Sequence, residues 1–156
     1  MLTKEEFVRL AQLHMDAVFR LAFSYLKNRA DADDVTQTVL LRLYETKKEF
    51  EGDTHVKNWL MRVTVNECRQ RWRSPWSKTA CIEDFADGLI FEDQHCSDLF
   101  DAIMALDRKY RTVIVLHYYE GYGVAEIAKL LGVPLGTVGT RLRRAREQLK
   151  RYLLEV

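Results

Sequence analysis

The sequence predicts an all-α protein: an N-terminal three-to-four-helix bundle joined by an acidic connector to a C-terminal four-helix domain containing a helix-turn-helix. Three observations predict it. Apolar residues recur every three or four positions through most of the chain, which puts them on one stripe of each helix. No segment alternates convincingly, although Val113 to Leu116 is an apolar run compatible with helix or strand. Charge is segregated: the net is only +1 over 156 residues, yet acidic and basic blocks follow one another along the chain.

Residues 3–27 read as the first helix, with Phe7, Leu10, Leu13, His14, Ala17, Val18, Leu21 and Tyr25 on its stripe. Thr3 and Glu6 have the spacing of a capping box. Asn28 and Arg29 end the pattern, and Asp31 is expected to cap the second helix with Asp34 at its third position. Val35, Val39, Leu40, Leu43 and Tyr44 give that helix its apolar side. A polar break from Lys47 to His55, with Gly52 near its middle, precedes a third helix from about Val56 to Trp72. Trp59, Leu60, Val63 and Val65 supply its apolar contacts, and Pro75 stops it.

Beyond residue 74, Pro75, Gly88 and scattered acids interrupt any steady period. The expected organisation is a domain over 1–76, a connector over 77–97 and a second domain over 98–156. Ile82, Phe85, Leu89, Ile90 and Phe91 would let part of the connector dock. Ser97 is expected to cap a helix through Leu99, Phe100, Ile103 and Leu106, and Asp107 the next, which carries Tyr110, Val113, Ile114, His117 and Tyr118. Gly121 and Gly123 mark a turn before a short helix from Val124 to Leu131. The last helix is expected to start at Pro134 and run to about Leu154.

Composition narrows the function. With 47% hydrophobic residues, extended disorder is excluded, and no uncharged stretch approaches bilayer-spanning length. Lys4, Glu5, Glu6 and Arg9 leave no room for a secretory leader, so a cytoplasmic product without membrane insertion is expected. Cys68, Cys81 and Cys96 read as thiols rather than a disulfide framework. No metal or other cofactor is expected: CxxC and HExxH are absent, and neighbouring helical acids such as Asp31, Asp33 and Asp34 do not converge on one centre. The single Glu-x-x-His spacing, Glu92 to His95, falls in the connector, and no nucleophile stands beside a base and an orienting group. His117, on an apolar face, reads as a core histidine. No catalytic residue is assigned.

The sharpest local pattern is 122-YGVAEIAKLLGVPLGTVGTRLRRAREQLKRYL-153. Ala125, Ile127, Ala128 and Leu131 form a compact apolar face, Gly132 suits a left-handed helix end, and Pro134 suits the next first turn. Val133, Val138, Leu142, Ala145 and Leu149 would pin the last helix. That registration turns Thr137, Thr140, Arg141, Arg143 and Arg144 outward. A basic helix alone is usually a solvated face; behind this turn it reads as a recognition helix. Arg141 suits guanine acceptors, Thr137 and Thr140 a thymine methyl or a phosphate, and Arg143, Arg144, Arg146 and Lys150 the backbone.

The N-terminal half differs. Residues 31–53 carry seven acids against three bases, whereas 57–80 carry six bases against one acid, Glu67. Trp59, Trp72 and Trp76 lie among these charges, a mixture able to hold single-stranded DNA, although Trp59 reads as core first. Residues 81–101 add seven acids and no base, most simply a solvated run. Two nucleic-acid surfaces and one acidic surface suit a protein that holds duplex and opened DNA while docked on a larger machine.

These features resemble the extracytoplasmic-function group of bacterial sigma factors, the compact branch of the sigma-70 family. The resemblance rests on 25-YLKNRADADDVTQTVLLRLYETKKEF-50, 58-NWLMRVTVNECRQRWR-73 and 105-ALDRKYRTVIVLHYYEGYGVAEIAKLLGVPLGTVGTRLRRAREQL-149, in that order. It implies that Asp33, Asp34, Val35, Gln37 and Leu41 dock on the clamp helices of the largest subunit of core RNA polymerase, with the flap region a further contact. It implies that the loop from Phe50 to His55 captures a flipped base of the minus-ten element, with Lys57, Asn58, Arg62, Asn66 and Arg69 around it. Asn66 either contacts the strand or braces the backbone. The final helix would read the minus-thirty-five element of promoter DNA. Gly139 and Thr140 stand where many relatives place Lys and Ser, which removes one expected phosphate contact. An anti-sigma factor is a further implied partner, one able to hold the chain near the membrane. The alternatives are a conventional helix-turn-helix regulator with a dimerising or sensing bundle, an enzyme, and a structural adaptor; binding to core polymerase separates the first from the sigma reading.

Overall fold

A computed structural model describes residues 2–72 and 97–155. Every described element is helical, in two compact units. Trp76 and the expected connector as far as Cys96, with Cys81 and His95, lie outside the described residues, as does most of the acidic run.

The first unit contains α1 (Lys4–Leu26), α2 (Arg29–Glu45) and α3 (Asp53–Trp72). Each packs on the other two. Val18, Leu21, Val35, Val39, Leu43, Leu60 and Met61 are completely buried between them. The Thr3–Glu6 capping box is present: the Glu6 N–H donates to Thr3 Oγ1 at 3.2 Å and the Thr3 N–H to Glu6 Oε2 at 3.4 Å. Between α1 and α2 the structure differs from the sequence expectation. Lys27 takes the left-handed conformation (φ 51°), Asn28 is extended, and Asn28 Oδ1 accepts the Asp31 N–H at 2.9 Å. The reversal therefore needs only two residues. Asn28 is the cap, and Asp31 sits inside the first turn, where its charge still faces the positive helix end.

Helix α3 also starts earlier than its apolar pattern, because the Gly52 carbonyl accepts the Val56 N–H at 3.1 Å. Its first turn, Asp53 to His55, is polar and thus invisible to hydrophobic periodicity.

The second unit contains α4 (Ser97–Ala105), α5 (Arg108–Ile114), a π-helical turn (Val115–Tyr119), α6 (Val124–Leu131) and α7 (Leu135–Glu155). Helices α4, α5 and α6 all pack on α7, whose Val138, Leu142 and Ala145 are buried. The ambiguous run Val113 to Leu116 is helical and wholly buried, which is why one-sided periodicity failed there. The π turn carries bonds from Glu120 N to Val115 O (3.1 Å) and Tyr122 N to Leu116 O (3.0 Å). His117 is half-buried there, with Nδ1 2.8 Å from the Tyr122 carbonyl, a bond in which the ring nitrogen donates. Arg111 is buried and donates to the Leu106 carbonyl at 2.7 Å; burial pushes its pKa down to about 10.

Asp107 occupies the cap position of α5, but its side chain makes no capping hydrogen bond. Gly132 ends α6 at φ 69°, where a Cβ would be strained. Helix α7 begins one residue later than expected: the Pro134 carbonyl accepts the Thr137 N–H at 3.0 Å, so Pro134 precedes the helix. Among the described residues no helix is long and apolar enough to cross a membrane, and no three His, Cys, Asp or Glu side chains converge as metal ligands. Cys68 is buried in α3.

Candidate nucleic-acid interface

In the second unit the site is built from the buried side of α7 outward. With Val138, Leu142 and Ala145 locked inside, helical geometry turns Thr140 and Arg144 away from the core and leaves Thr137 and Arg141 half-buried on the flank of the same side. Together with Gly136, Lys109 and Tyr110 they line an open depression of about 260 Å³. Three cations and three hydroxyl-bearing side chains around one concavity form an anion-attracting surface at the positive end of a 21-residue helix. Gly139 borders open space, so the departure there leaves the surface smooth rather than strained.

Lys109 is a site residue that sequence reasoning missed. It belongs to α5, and only packing of α5 on α7 brings it beside Arg141 and Arg144. Its ammonium lies 5.1 Å from the Tyr110 ring centroid, which orients the stem. The one available signal was the basic pair Arg108–Lys109 at a helix start, where cations are not favoured. Arg143 and Arg144 are exposed, Arg143 lying 3.8 Å from Glu147 one turn on. Arg146 instead donates to the Tyr118 hydroxyl at 3.1 Å, which ties it to the π turn rather than leaving it for a backbone phosphate.

In the first unit, Asn58, Arg62, Asn66 and Arg69 recur at three- and four-residue spacings along one side of α3. Arg62, Asn66 and Arg69 are exposed, whereas Lys57 and Asn58 are half-buried. The loop before α3 is braced internally. Phe50 meets the Trp59 ring at 5.6 Å and the His55 ring at 5.3 Å, both edge-on, and the Glu51 N–H donates to His55 Nδ1 at 3.1 Å. Trp59 is half-buried and braces the loop rather than filling the core as expected.

On α2, Asp33, Gln37 and Leu41 form an exposed ridge, Leu41 being 55% accessible. Val35 is corrected: it is completely buried, on the side of the helix opposite that ridge, and fixes α2 to the bundle instead of facing a partner. Asp34 pairs with Arg71, whose second amino group lies 3.4 Å from Thr38 Oγ1. Glu67, nearly buried, pairs with Arg42 and lies 3.9 Å from Arg71 Nε. Arg71, one of the six bases in 57–80, is therefore turned toward α2 by two carboxylates.

At the loop's far end Arg9 grips Asp53 through two bonds of 3.0 Å, which holds the Asp53 pKa below and the Arg9 pKa above their ordinary values. His14 lies buried nearby, and its Nε2 has no hydrogen-bond partner. Burial, then the Lys57 cation, holds its pKa below the ordinary 6.5; the Asp53 carboxylate opposes and Arg9 adds to the lowering. Above that ordinary value His14 is neutral in both states, and its contribution to stability is complete. As pH falls, the unfolded chain takes up the proton first, and the contribution is lost as pH passes through the depressed folded value. Thermal midpoints measured between about pH 7.5 and pH 5 should fall more steeply for the wild type than for His14→Gln; parallel curves would refute the assignment.

Two family profiles match this chain in sequence order: Sigma-70 region 2 over residues 10–78 and Sigma-70, region 4 over residues 97–149. The ECF RNA polymerase sigma factor SigW of Bacillus subtilis is 29% identical over 98% of this chain and 91% of its own. The ECF RNA polymerase sigma factor SigM of Mycobacterium tuberculosis is 34% identical over 94% of this chain and 76% of its own. The fold is similar to that of the sigma factor RpoE solved with the anti-sigma factor NepR from Bartonella quintana, with a TM-score of 0.71 at 22% identity over 96% of this chain and 97% of that one. The region 2 profile covers the exposed ridges of α2 and α3, and the region 4 profile covers the cationic depression on α7. The chain belongs to the sigma-70 family and is an RNA polymerase sigma factor of the ECF group.

Proposed function

We propose a residue-level division of labour for promoter-specific initiation. Helix α7 enters the major groove of the duplex minus-thirty-five element, with Thr137, Thr140 and Arg141 at base edges and Lys109, Arg143 and Arg144 on phosphates. The loop ending at His55 and the α3 side formed by Lys57, Asn58, Arg62, Asn66 and Arg69 hold the opened minus-ten strand. Asp33, Asp34, Gln37 and Leu41 dock on the clamp helices of core polymerase, and the second unit reaches the flap region. The observation that carries this reading is the cationic depression built on the outward side of a rigidly packed α7. As a sigma factor the chain directs transcription and performs no catalysis itself.

The RpoE chain of similar fold was solved with an anti-sigma factor. We assign this chain a partner of that class and a cytoplasmic location, with membrane proximity supplied by the partner.

Reconstituted transcription tests the proposal. Purified chain added to core polymerase should start transcripts from a definite subset of a promoter-fragment library, and failure to bind core or to direct any start would refute it. Replacing Asn58 or Arg62 should impair open-complex formation while leaving duplex binding intact. Arg143→Glu and Arg144→Glu should weaken every duplex to a similar degree and flatten the salt dependence, whose slope is about 0.9 per neutralised phosphate. A change in base preference instead would move these arginines to the base edges.

A further inference from the structure

We infer that the Arg9–Asp53 ion pair is a clamp that positions the strand-capture loop, making Arg9 and Asp53 positioning residues for holding opened DNA. The inference rests on the proposed role of that loop.

Arg9 is in the second turn of α1 and Asp53 is the first residue of α3, 44 positions away in sequence. Both guanidinium amino groups donate, one to each carboxylate oxygen, at 3.0 Å. Such a fork fixes orientation as well as distance. It crosses the exposed edge of the α1–α3 packing. A groove of about 450 Å³ separates the start of α1 from the loop, lined by Glu6, Arg9 and Leu10 on one side and Lys48, Phe50 and Asp53 on the other. Phe50, His55 and Trp59 brace the loop against α3, and Leu10 of α1 and Val56 of α3, both buried, border the groove where the two helices pack. On top of that packing, the pair fixes the orientation of the residue where the loop becomes helix, one turn before Lys57 and Asn58.

Arg9 and Asp53 side chains are 56% and 50% accessible, so the pair contributes little to global stability. Arg9→Gln and Asp53→Asn should leave the unfolding midpoint within about 4 °C of wild type. In holoenzyme on a promoter template, each should shorten open-complex lifetime about two- to fivefold. Core affinity and minus-thirty-five duplex binding should be unchanged. The exchanged pair, Arg9→Asp with Asp53→Arg, should recover at least half of the loss. Salt dependence of opened-strand binding should be the same as wild type, since a direct phosphate contact by Arg9 would lower the slope by about 0.7.

Wild-type lifetimes in both single variants, an exchanged pair no better than either, or a reduced salt slope in Arg9→Gln would each overturn the clamp. Lys57→Ala and Asn58→Ala, measured in parallel, separate the two ideas. If they impair opening while the clamp variants do not, the clamp alone is wrong; if they too are silent, the capture role of the loop is wrong as well.

Discussion

Arg141→Ala is expected to cost the preferred minus-thirty-five duplex about 1–3 kcal/mol relative to a scrambled duplex, a loss of roughly 5- to 150-fold in discrimination. Arg141 is half-buried at the rim of the depression on α7, one turn after Thr137 and beside Thr140. Its planar guanidinium fork matches a base edge in two hydrogen bonds. Binding to a randomised duplex library should lose preference at one or two adjacent base pairs and keep the rest. If the variant instead binds all duplexes more weakly by one common factor, Arg141 contacts phosphate and the base-reading role passes to Thr137 or Thr140.

Leu142→Ala is expected to destabilise the second unit by about 2–5 kcal/mol, the ordinary cost of a cavity at a fully packed leucine. Leu142 is 2% accessible and lies between Val138 and Ala145, both completely buried. The variant touches no proposed DNA contact, yet duplex binding should fall, because the outward residues of α7 are aligned only while its inner side is seated. Thermal unfolding and duplex binding should therefore decline together. Leu154→Ala, where the leucine is 76% accessible, should stay within about 0.5 kcal/mol of wild type. Equal effects at the two leucines would mean that packing of α7 is not what presents the site.

The conventional-regulator alternative does not survive two sigma-70 regions matching in order over residues 10–78 and 97–149. A regulator with a dimerising bundle would need only the second. The same order gives the acidic ridge of α2 and the basic side of α3 a shared purpose, which an adaptor role leaves unexplained.

Much of this was legible in one dimension. Long helices with strong caps were readable from Thr3 and Glu6, from Gly132, and from the buried stripe of α7, because each depends on residues within one turn of each other. The outward set Thr137, Thr140, Arg141 and Arg144 followed from knowing which residues face inward. Errors clustered where the deciding contact was short-range but polar. Asn28 outcompeted Asp31 as a cap because the chain reverses in two residues, and α3 gained a polar first turn that carries no apolar period.

Composition and local spacing were sufficient for the all-helical class and the helix-turn-helix, since helical period and turn chemistry act over a few residues; the family entered through the resemblance of three ordered segments. Folding in three dimensions was required to seat Val35 in the core, to bind Arg71 to α2, to bring Lys109 beside Arg141, and to join Arg9 to Asp53. Those pairings span tens of residues, and distance along a chain carries no information about which side chains meet once helices pack.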